Sequence, residues 1–440
     1  MPAAFIRNEN LAYRAVSILG FAVTLVCLYV VVRTRKGGAI ALVCAAIPLT
    51  SILFEVFSVE ARGYSLVVAC IAFAIVCYQR LPSRRWVILL GLSLVLAESS
   101  HHFALFAFLP FLLAEAAHFG ITRQLRGAVW IALLSGFVPL AFFWPMLSGI
   151  NRHFGPHYWA KPTLEAALSS YSSYFVRFDS TPLWGLYLAA VAAIAVLFTM
   201  LATLRKSSLG KHPAGAPLPE LTLVLGFLAL PLLGFAFAAL THNNIQPKYL
   251  MASFLGFPLA LGFTLPKLPR WNFLLPSVSG VFLLCVIVSQ QYRFWTIFYS
   301  PQFVSPAASV EELVNAGGHP DLPVVVSDVL DFLPLQHYAD KSWQKRFVVV
   351  LDPDQAFLYT GNDMPDKHLA ILRQYTTLPI YDFQSLLAEH PAFLVYSANG
   401  GLDRDWWPGR LKKDGFKLQI VSRRPQETHD YFHRIILVTR

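Results

Sequence analysis

Residues 11–32 read LAYRAVSILGFAVTLVCLYVVV, and this stretch decides the fold. From Ala15 to Val32 it contains no charged side chain. A helix needs ~20 mostly apolar residues to cross the ~30 Å of hydrocarbon in a bilayer. The stretch is long enough, so we predict a membrane-spanning helix at this point of the chain.

Similar apolar segments recur along most of the chain. They occupy residues 39–57, 64–78, 86–97, 102–119, 127–147, 183–204, 221–240, 249–265 and 271–290. Together with the first stretch they predict a polytopic α-helical membrane protein of about ten transmembrane helices, within residues 1–292. The segment at residues 86–97 is short for a full crossing.

The overall composition agrees with a membrane protein. Of 440 residues, 56% are hydrophobic and 14% are charged, whereas soluble domains carry charge on about a quarter of their residues. The net charge of +10 does not indicate a nucleic-acid partner, because the basic residues form short clusters between apolar segments. That pattern is typical of cytoplasmic loops. The five cysteines all lie in apolar segments and form no CxxC pair, so we interpret them as small core residues.

Alternate loops differ in their basic residues, which predicts the orientation of the chain. One set of loops contains Arg33, Arg35, Lys36, Arg80, Arg84, Arg85, Arg123, Arg126, Arg205, Lys206, Lys211, Lys267 and Arg270. The other set contains Arg62, Arg152, Lys161, Arg177 and Lys248. The richer set is predicted to be cytoplasmic by the positive-inside rule. The N-terminus is then outside, and an even number of spans places the C-terminal domain outside as well.

The composition changes at about residue 301, where a soluble domain is predicted over residues 301–440. Short β-branched runs at residues 324–327, 347–351, 393–396, 418–421 and 435–438 read as strands. Helix-like stretches lie between them at residues 333–339, 365–374, 383–389 and 405–413. Alternating strands and helices predict an α/β domain with a mostly parallel sheet, in which the last two strands pair antiparallel.

Four aspartates of this domain follow predicted strands: Asp328, Asp331, Asp352 and Asp354. The last two lie in LDPDQA, and paired aspartates are one sign of a metal site. Asp-Pro-Asp after a strand is also typical of an ordinary helix cap and turn, which we favour here. A separate feature is the loop at residues 148–182, which is rich in Tyr, Trp, His and Ser and is predicted to be functional or to act as a lid.

Charged residues at the ends of membrane segments are costly and need a reason. The first such cluster is FEVFSVEARGYSL, which contains Glu55, Glu60, Arg62 and Tyr64. In the functional interpretation Arg62 binds an anionic head group, Glu60 orients Arg62, and Tyr64 lines the same polar cavity. The alternative is an interfacial ion pair that only anchors a helix turn.

Two further clusters are predicted on the same outer side. LAESSHHFALF contains Glu98, His101 and His102, and adjacent histidines on a helix point in different directions, so a polar cavity wall is favoured over a metal site. HNNIQPKYL contains Lys248 and Tyr249 at the mouth of the ninth segment. Lys248 either holds a phosphate as a point charge or snorkels toward water.

The order of these motifs resembles the GT-C superfamily of membrane glycosyltransferases, which includes bacterial lipid-A aminoarabinose transferases and protein O-mannosyltransferases. SVEARGY at residues 58–64 is similar to the family's (S/Q)-E-A-R-x-Y stretch, with a difference at Val59. SHHFA at residues 100–104 is similar to Thr-His-Tyr-Phe-Ala, and KYL at residues 248–250 to Arg-Tyr-Leu. The resemblance covers about residues 10–290.

The resemblance implies transfer of a sugar from a polyprenyl-phosphate donor to a glycan, lipid or protein acceptor. The reaction would take place on the outer face of a bacterial inner membrane. Arg62 and Lys248 would hold the lipid phosphate, with His101 as a supporting polar contact and Tyr64 and Tyr249 beside the substrate. The membrane lipid is then a partner, and no nucleic acid is expected.

The family carries an acid in its first outer loop, as catalytic base or ligand of a divalent metal. Here IRNENLAYR offers Glu9, whose position matches poorly, and Glu60 is the other candidate base. We therefore expect the family's first helix and catalytic loop to be missing before residue 1. No cofactor is predicted beyond the lipid-linked sugar and that possible metal. The alternatives are a non-catalytic relative, or a lipid or solute transporter, although no internal repeat typical of transporters was found.

Overall fold

A computed structural model describes residues 9–154, 162–174, 184–208, 218–241, 245–265, 274–298, 306–361, 363–397, 406–425 and 432–440. The chain divides into two compact units, with the boundary between Phe294 and Trp295. Of the predicted outer loop, residues 155–161 and 175–182 lie outside the described residues, as does the HNN sequence at residues 242–244. Each unit is built differently, one from helices and one from a sheet with covering helices.

The first unit is built from α-helices joined by short 3-10 helices. The α-helices are α1 (Glu9–Lys36), α2 (Gly38–Ala46), α3 (Ile52–Val59), α4 (Tyr64–Tyr78), α5 (Arg84–Ser100), α6 (Leu109–Thr122), α7 (Gly127–Ser135), α8 (Val138–Phe154), α9 (Leu164–Ser173), α10 (Trp184–Ser208), α11 (Leu218–Leu240), α12 (Gly256–Thr264) and α13 (Leu274–Phe298). The 3-10 helices are Ile47–Thr50, His102–Phe108 and Pro247–Leu255.

Several of these helices are long and apolar enough to cross a membrane. Within the described residues five qualify, namely Leu11–Lys36, His102–Thr122, Gly127–Ile150, Gly185–Arg205 and Leu218–Leu240. A sixth is added if the bent pair Gly38–Thr50 and Ile52–Val59 counts as one span. The expectation of about ten spans is therefore not confirmed, and α4 is one of the shorter apolar helices.

The segment predicted at residues 39–57 is not straight, because the chain bends by 75° between Gly38–Thr50 and Ile52–Val59. Pro48 is the second residue of the intervening 3-10 helix and has no N–H to continue a regular ladder. Ser51 then starts α3 as its cap, accepting the N–H of Phe54 at 3.4 Å. The segments predicted at residues 102–119 and 249–265 likewise begin with 3-10 helices. Such breaks are frequent next to functional sites.

Helix α1 lies in close contact with α4. A Cβ atom added at Gly20 would lie 3.0 Å from the backbone of Ser65, so glycine is what permits this approach. At the far end of α4, Gln79 donates to Glu220 at 3.2 Å, and Glu220 also forms an ion pair with Arg35 at the end of α1. Removing Arg35 would leave the buried carboxylate of Glu220 without its ion pair, which is destabilising. These contacts fix α1, α4 and α11 as one frame.

The second unit is an α/β domain with a six-stranded sheet of order β3-β2-β1-β4-β6-β5. The strands are β1 (Val324–Val326), β2 (Phe347–Leu351), β3 (Ile380–Asp382), β4 (Ala392–Ser397), β5 (Lys417–Pro425) and β6 (Phe432–Thr439). The helices are α14 (Pro306–Ala316), α15 (Val329–Tyr338), α16 (Lys341–Gln344), α17 (Pro353–Thr360), α18 (Met364–Leu372), α19 (Phe383–Glu389) and α20 (Trp406–Lys413).

The sheet confirms the pattern predicted from the sequence. Strands β1 to β4 are mutually parallel, and β6 pairs antiparallel with both β4 and β5. β3 was not predicted, because its three residues carry only one β-branched side chain. Asp352 caps α17 by accepting the N–H of Gln355 at 3.1 Å, which confirms the cap interpretation of LDPDQA.

Candidate functional site

A small, partly enclosed cleft lies in the helical unit. Its lining residues come from three separate parts of the chain and are Tyr64, Val67, Val68, His101, Ala104, Lys248, Tyr249, Met251 and Ala252. Four residues predicted from the sequence therefore line the same cleft, namely Tyr64, His101, Lys248 and Tyr249. The cleft is mainly apolar with a few polar groups, which is the usual composition of a small-molecule site.

Aromatic rings form one wall of the cleft. The ring of His101 lies 4.9 Å from that of Tyr64 and 5.5 Å from that of Tyr249, measured between centroids. Phe103 stacks on Tyr249 with a centroid distance of 4.2 Å and an interplanar angle of 4°. Each such pair contributes about 0.5–1.5 kcal/mol beyond the area that it buries. The rings therefore pack against one another and form one continuous surface.

His101 reaches the cleft because the chain leaves helical geometry at this residue. Its backbone is extended (φ −165°, ψ 121°), and its Nδ1 accepts the N–H of Phe103 at 3.3 Å. This capping bond ends α5 and starts the next 3-10 helix. His102 stacks on His101 with centroids 5.0 Å apart and does not line the cleft. The prediction that the two rings point in different directions was wrong, because His101 is extended rather than helical and both rings also lie beside Phe103.

Lys248 supplies positive charge to the cleft. Its Nζ lies 5.6 Å from the centre of the Tyr249 ring, and the side chain is half-buried. It interacts electrostatically with Arg62 and Glu60. A cation in partly dry surroundings attracts an anion more strongly than one in water. The arrangement places a cation beside the aromatic wall.

Arg62 lies in the turn between α3 and α4 and is not among the residues that line the cleft. Its Nε lies 3.3 Å from Oε2 of Glu60, with the two side chains 56% and 36% exposed. Ser17 fixes this turn from α1, because its hydroxyl bonds the carbonyl oxygens of Glu60 at 2.5 Å and Arg62 at 3.0 Å. An exposed pair of this kind is worth at most about 1 kcal/mol. Among the described residues, however, Oε2 of Glu60 is a buried oxygen with no hydrogen-bond partner, so Arg62 supplies the charge that faces it.

Gly63 brings this turn against the end of α5. A Cβ atom at Gly63 would lie 2.9 Å from the carbonyl oxygen of Ser100, immediately before His101. Any larger residue would push apart the two segments that carry Tyr64 and His101. Close backbone contact thus explains a glycine between Arg62 and Tyr64.

The remaining acids of the predicted clusters are placed differently. Glu55 is half-buried in the first turn of α3. Glu98 is fully buried, and neither of its carboxylate oxygens accepts a hydrogen bond of ordinary geometry, although the N–H of Leu105 interacts with it. Nothing is described of the side chain of Glu9. Among the described residues no group of three or more His, Cys, Asp or Glu side chains is arranged to hold a metal ion.

The segment that carries Lys248 and Tyr249 is held in place by α9 and the residue after it. Tyr174 is fully buried, and its hydroxyl bonds the Leu250 carbonyl oxygen at 3.3 Å and the Ser253 hydroxyl. Tyr171 is also buried and donates to the carbonyl oxygen of Leu228 on α11 at 2.7 Å. The described part of the predicted outer loop therefore supports the cleft from behind.

Several contributing residues were not predicted from the sequence. Val67 and Val68 line the cleft one turn after Tyr64, so the helical spacing alone would have indicated them. Phe103 belongs to the SHHFA motif, but its role was not predicted because it stacks on Tyr249, which is distant in the sequence. Ser17 lies in the middle of an apolar helix and gave no signal. Its role depends wholly on the packing of α1 against the turn.

Comparisons with known proteins give few matches. No protein-family model matches the chain, and no curated protein matches it. Among solved structures it is similar to ArnT from Cupriavidus metallidurans bound to undecaprenyl phosphate, with 12% identity and a TM-score of 0.45, over 97% of this chain and 84% of that one. The apo state of the same protein gives 14% identity and a TM-score of 0.36, over 97% and 83%. At these values the likeness assigns neither a family nor an activity to this chain.

Proposed function

We propose that the chain is a membrane glycosyltransferase that moves a sugar from a polyprenyl-phosphate donor to an acceptor. The observation that carries this proposal is the cleft in which Lys248 lies beside the rings of Tyr64, His101 and Tyr249. The order of the sequence motifs supports it, because the residues that resemble the GT-C pattern are the ones that meet there. The matching neighbour was solved with undecaprenyl phosphate, which is the class of lipid proposed here.

The cleft suits a lipid-linked sugar in two respects. A phosphate has a partner in Lys248, and Arg62 lies within electrostatic range of that lysine. A sugar ring has apolar faces that pack on aromatic rings and hydroxyls that bond polar groups, and Tyr64, Tyr249 and His101 offer both. The apolar residues Val67, Val68 and Met251 complete the lining and suit the start of a lipid tail.

The proposed reaction is a displacement at the anomeric carbon of the donor. An acceptor oxygen forms a bond to this carbon while the bond from the carbon to the phosphate oxygen breaks. The electron pair leaves with the lipid phosphate, whose growing charge Lys248 and Arg62 stabilise. A carboxylate takes the proton of the acceptor, and Glu60 is the first candidate because it lies in the same turn as Arg62.

The orientation is part of the proposal. Residues 1–292 form the transferase unit in a bacterial inner membrane, and residues 301–440 are extracytoplasmic. The distribution of basic residues among the loops supports this placement, because the richer basic clusters belong to the loops that are predicted to be cytoplasmic. The acceptor is a glycan, lipid or protein reached from the outer face.

The proposal is tested with purified protein in nanodiscs. Polyprenyl-phosphate glucose, mannose, galactose and N-acetylglucosamine are supplied with a bacterial envelope extract as acceptor, and released polyprenyl phosphate is measured by mass spectrometry. Wild-type protein should consume at least one donor, and Lys248→Ala should slow it about 10- to 100-fold, since a charged hydrogen bond is worth ~1.5–3 kcal/mol. Arg84→Ala is the matched control, because Arg84 is exposed at the start of α5, far from the cleft.

Three results would contradict the proposal. Wild-type protein that binds a donor and never releases the phosphate would be a non-catalytic relative. Movement of an intact lipid-linked sugar, without cleavage, across the bilayer of liposomes that contain the protein would indicate a transporter. Equal rates for Lys248→Ala and Arg84→Ala would show that Lys248 and its cleft take no part in the reaction.

A further inference from the structure

Two arginine side chains lie against the ring of Trp86, at the ends of α4 and α5 that point away from the cleft. Helix α4 begins with the cleft residue Tyr64 and α5 ends just before His101, so the turn that joins the two helices lies roughly 20 Å from the cleft along α4. In this turn the guanidinium carbon of Arg80 lies 4.8 Å from the centre of the Trp86 ring, and that of Arg85 lies 5.1 Å from it. Two cations therefore share one aromatic ring.

No acid of the described ranges neutralises these two cations. The buried carboxylates near the end of α4 belong to Glu115 and Glu220, which form ion pairs with Arg126 and Arg35 respectively. Neither arginine beside Trp86 forms an ion pair with a residue that the structure describes. Like charges that are held close together repel each other, so an anion bound beside both of them would be stabilised.

The two arginines are positioned and still have hydrogen-bond donors for a ligand. Arg80 is half-buried and donates from Nη1 to the carbonyl oxygen of Val76 at 2.8 Å, which uses one of its five N–H groups. Arg85 is exposed in the first turn of α5, where the helix dipole disfavours a cation and no acidic side chain is present. Trp86 is half-buried and packs against the core of the helical unit. A phosphate at this point would accept hydrogen bonds from both guanidinium groups.

An exposed apolar stripe on α5 begins next to these arginines. Ile88, Leu92 and Leu96 are 52%, 53% and 58% exposed, and their spacing of four residues places them on one face of the helix. Arg85 lies three residues before Ile88 and therefore on the same face. From Arg85 to Leu96 the helix rises roughly 16 Å, which is about half of the ~30 Å hydrocarbon core and so the depth that one acyl chain fills. A cationic group followed by such a stripe fits a lipid better than a free phosphate.

We propose that an anionic phospholipid binds here, with its phosphate held by Arg80 and Arg85 and one acyl chain lying along Ile88, Leu92 and Leu96. A phospholipid whose headgroup carries its own cation is disfavoured, because two guanidinium groups repel an ammonium group. The site is independent of the transfer reaction proposed above, since neither arginine takes part in that reaction. Its occupancy is measured without any sugar donor.

The test is native mass spectrometry of the full chain, delipidated in a neutral detergent, and the measured quantity is the affinity for the first bound lipid. The probes are palmitoyl-oleoyl phosphatidylglycerol and the corresponding phosphatidylcholine. Wild-type protein should bind the phosphatidylglycerol at least about 10-fold more tightly. Arg80→Ala and Arg85→Ala should each weaken that binding about 10-fold, the effect of losing one charged hydrogen bond. Trp86→Leu should weaken it about threefold, because both charges remain but the ring that orients them is lost.

Matched controls separate this site from general charge attraction and from the cleft. Arg84→Ala removes the same charge one residue earlier on α5, from a side chain with no described contact to the Trp86 ring, and should bind like wild type. Lys248→Ala alters the cleft and should also leave the affinity for phosphatidylglycerol unchanged, so failure of the proposed transferase does not affect this test. Thermal unfolding of each variant is measured as well, and exposed Arg85 decides the outcome if Arg80→Ala lowers the stability of the fold.

Four results would overturn the proposal. Phosphatidylcholine that binds as tightly as phosphatidylglycerol would show that the site does not select an anionic lipid. Equal losses in Arg84→Ala and Arg85→Ala would mean that only the general positive charge of the turn attracts lipid. A loss in Lys248→Ala would place the first bound lipid in the cleft. Displacement of the lipid by millimolar inorganic phosphate would indicate a site for the free anion.

Discussion

The hydroxyl of Tyr174 bonds the carbonyl oxygen of Leu250 at 3.3 Å, at the residue where the 3-10 helix Pro247–Leu255 departs from helical geometry (φ −106°, ψ 18°). A kink frees backbone groups that must be satisfied elsewhere when they are buried. Tyr174 supplies that partner from outside the helix. The kink places Lys248 and Tyr249 in the cleft, so a buried tyrosine of another segment stabilises the shape of the site.

Tyr174→Phe should therefore weaken binding of a polyprenyl phosphate about fivefold, which corresponds to about 1 kcal/mol. Tyr171→Phe is the matched variant, since Tyr171 is equally buried but bonds Leu228 on α11. It should lower thermal stability by a similar amount and leave lipid binding unchanged. Lipid titration of both variants in nanodiscs is the measurement. Equal loss of binding in the two would mean that Tyr174 has only a general structural role.

Ser17→Ala removes the hydroxyl that holds the turn of Glu60 and Arg62. We expect a loss of about 1 kcal/mol in stability, and a lower affinity for phosphate because Arg62 is less well placed. Ser93→Ala is the control, because Ser93 is also buried but its hydroxyl bonds Leu90 of its own helix at 2.9 Å. Thermal unfolding and phosphate affinity, measured on both variants, decide the matter. If Ser93→Ala reduces affinity as much as Ser17→Ala, the turn is not specifically held.

Asp366 makes the C-terminal domain sensitive to pH. Burial, with smaller effects from Asp352 and Asp363, raises the pKa of Asp366 from 3.8 to about 6. A raised pKa in the folded state favours the protonated form. Its contribution to stability is therefore complete below about pH 4 and is lost as the pH rises through about 6. The loss is at most about 3 kcal/mol, from two pH units at 1.36 kcal/mol each.

Amide hydrogen exchange of β2 measures this effect, because Asp366 Oδ1 accepts the N–H of Asp352 at 3.0 Å at the end of that strand. After correction for the intrinsic rate, protection should fall between about pH 4 and pH 6. Asp366→Asn should abolish that fall, and exposed Asp354→Asn should preserve it. A fall of the same size in Asp366→Asn would assign the pH dependence to another group.

The orientation of the chain is tested by reporter fusions. Alkaline phosphatase folds only outside the cytoplasm, so a fusion after Arg440 should be active and a fusion after Lys211 inactive. The reason is the positive-inside rule, since Lys211 belongs to the basic set of loops. Activity only after Lys211 would invert the topology and place the cleft on the cytoplasmic side.

Sequence patterns predicted the features that depend on local composition. Strand β2 has the predicted bounds, because FVVVL is buried on both faces and therefore reads as a continuous apolar run. Tyr64, His101, Lys248 and Tyr249 were identified because polar residues at the ends of apolar segments are costly without a function. The sequence position of each residue indicated a function, but the sequence did not indicate how far apart the four residues lie.

What escaped prediction depends on contacts between distant segments. The bend at Ser51 lies inside an apolar run, where hydropathy does not distinguish a straight helix from a broken one. Ser17 acts only because α1 packs against the turn of Glu60 and Arg62, and Tyr174 only because it packs against the Pro247–Leu255 helix. Arg62 pairs with Glu60, as both interpretations of the cluster predicted, but it is not among the residues that line the cleft with Lys248. Its part in holding phosphate remains a proposal.

The central claim is that Lys248 and Arg62 hold a lipid phosphate at the cleft. Its most direct measurement is the affinity of the full chain in nanodiscs for polyprenyl phosphate, read by native mass spectrometry. Lys248→Ala and Arg62→Ala should each weaken binding about 10- to 100-fold relative to wild type, and exposed Arg84→Ala should not. Unchanged affinity in both variants, with folding intact, would return Lys248 to a snorkelling lysine and Arg62 to the anchor of a helix turn.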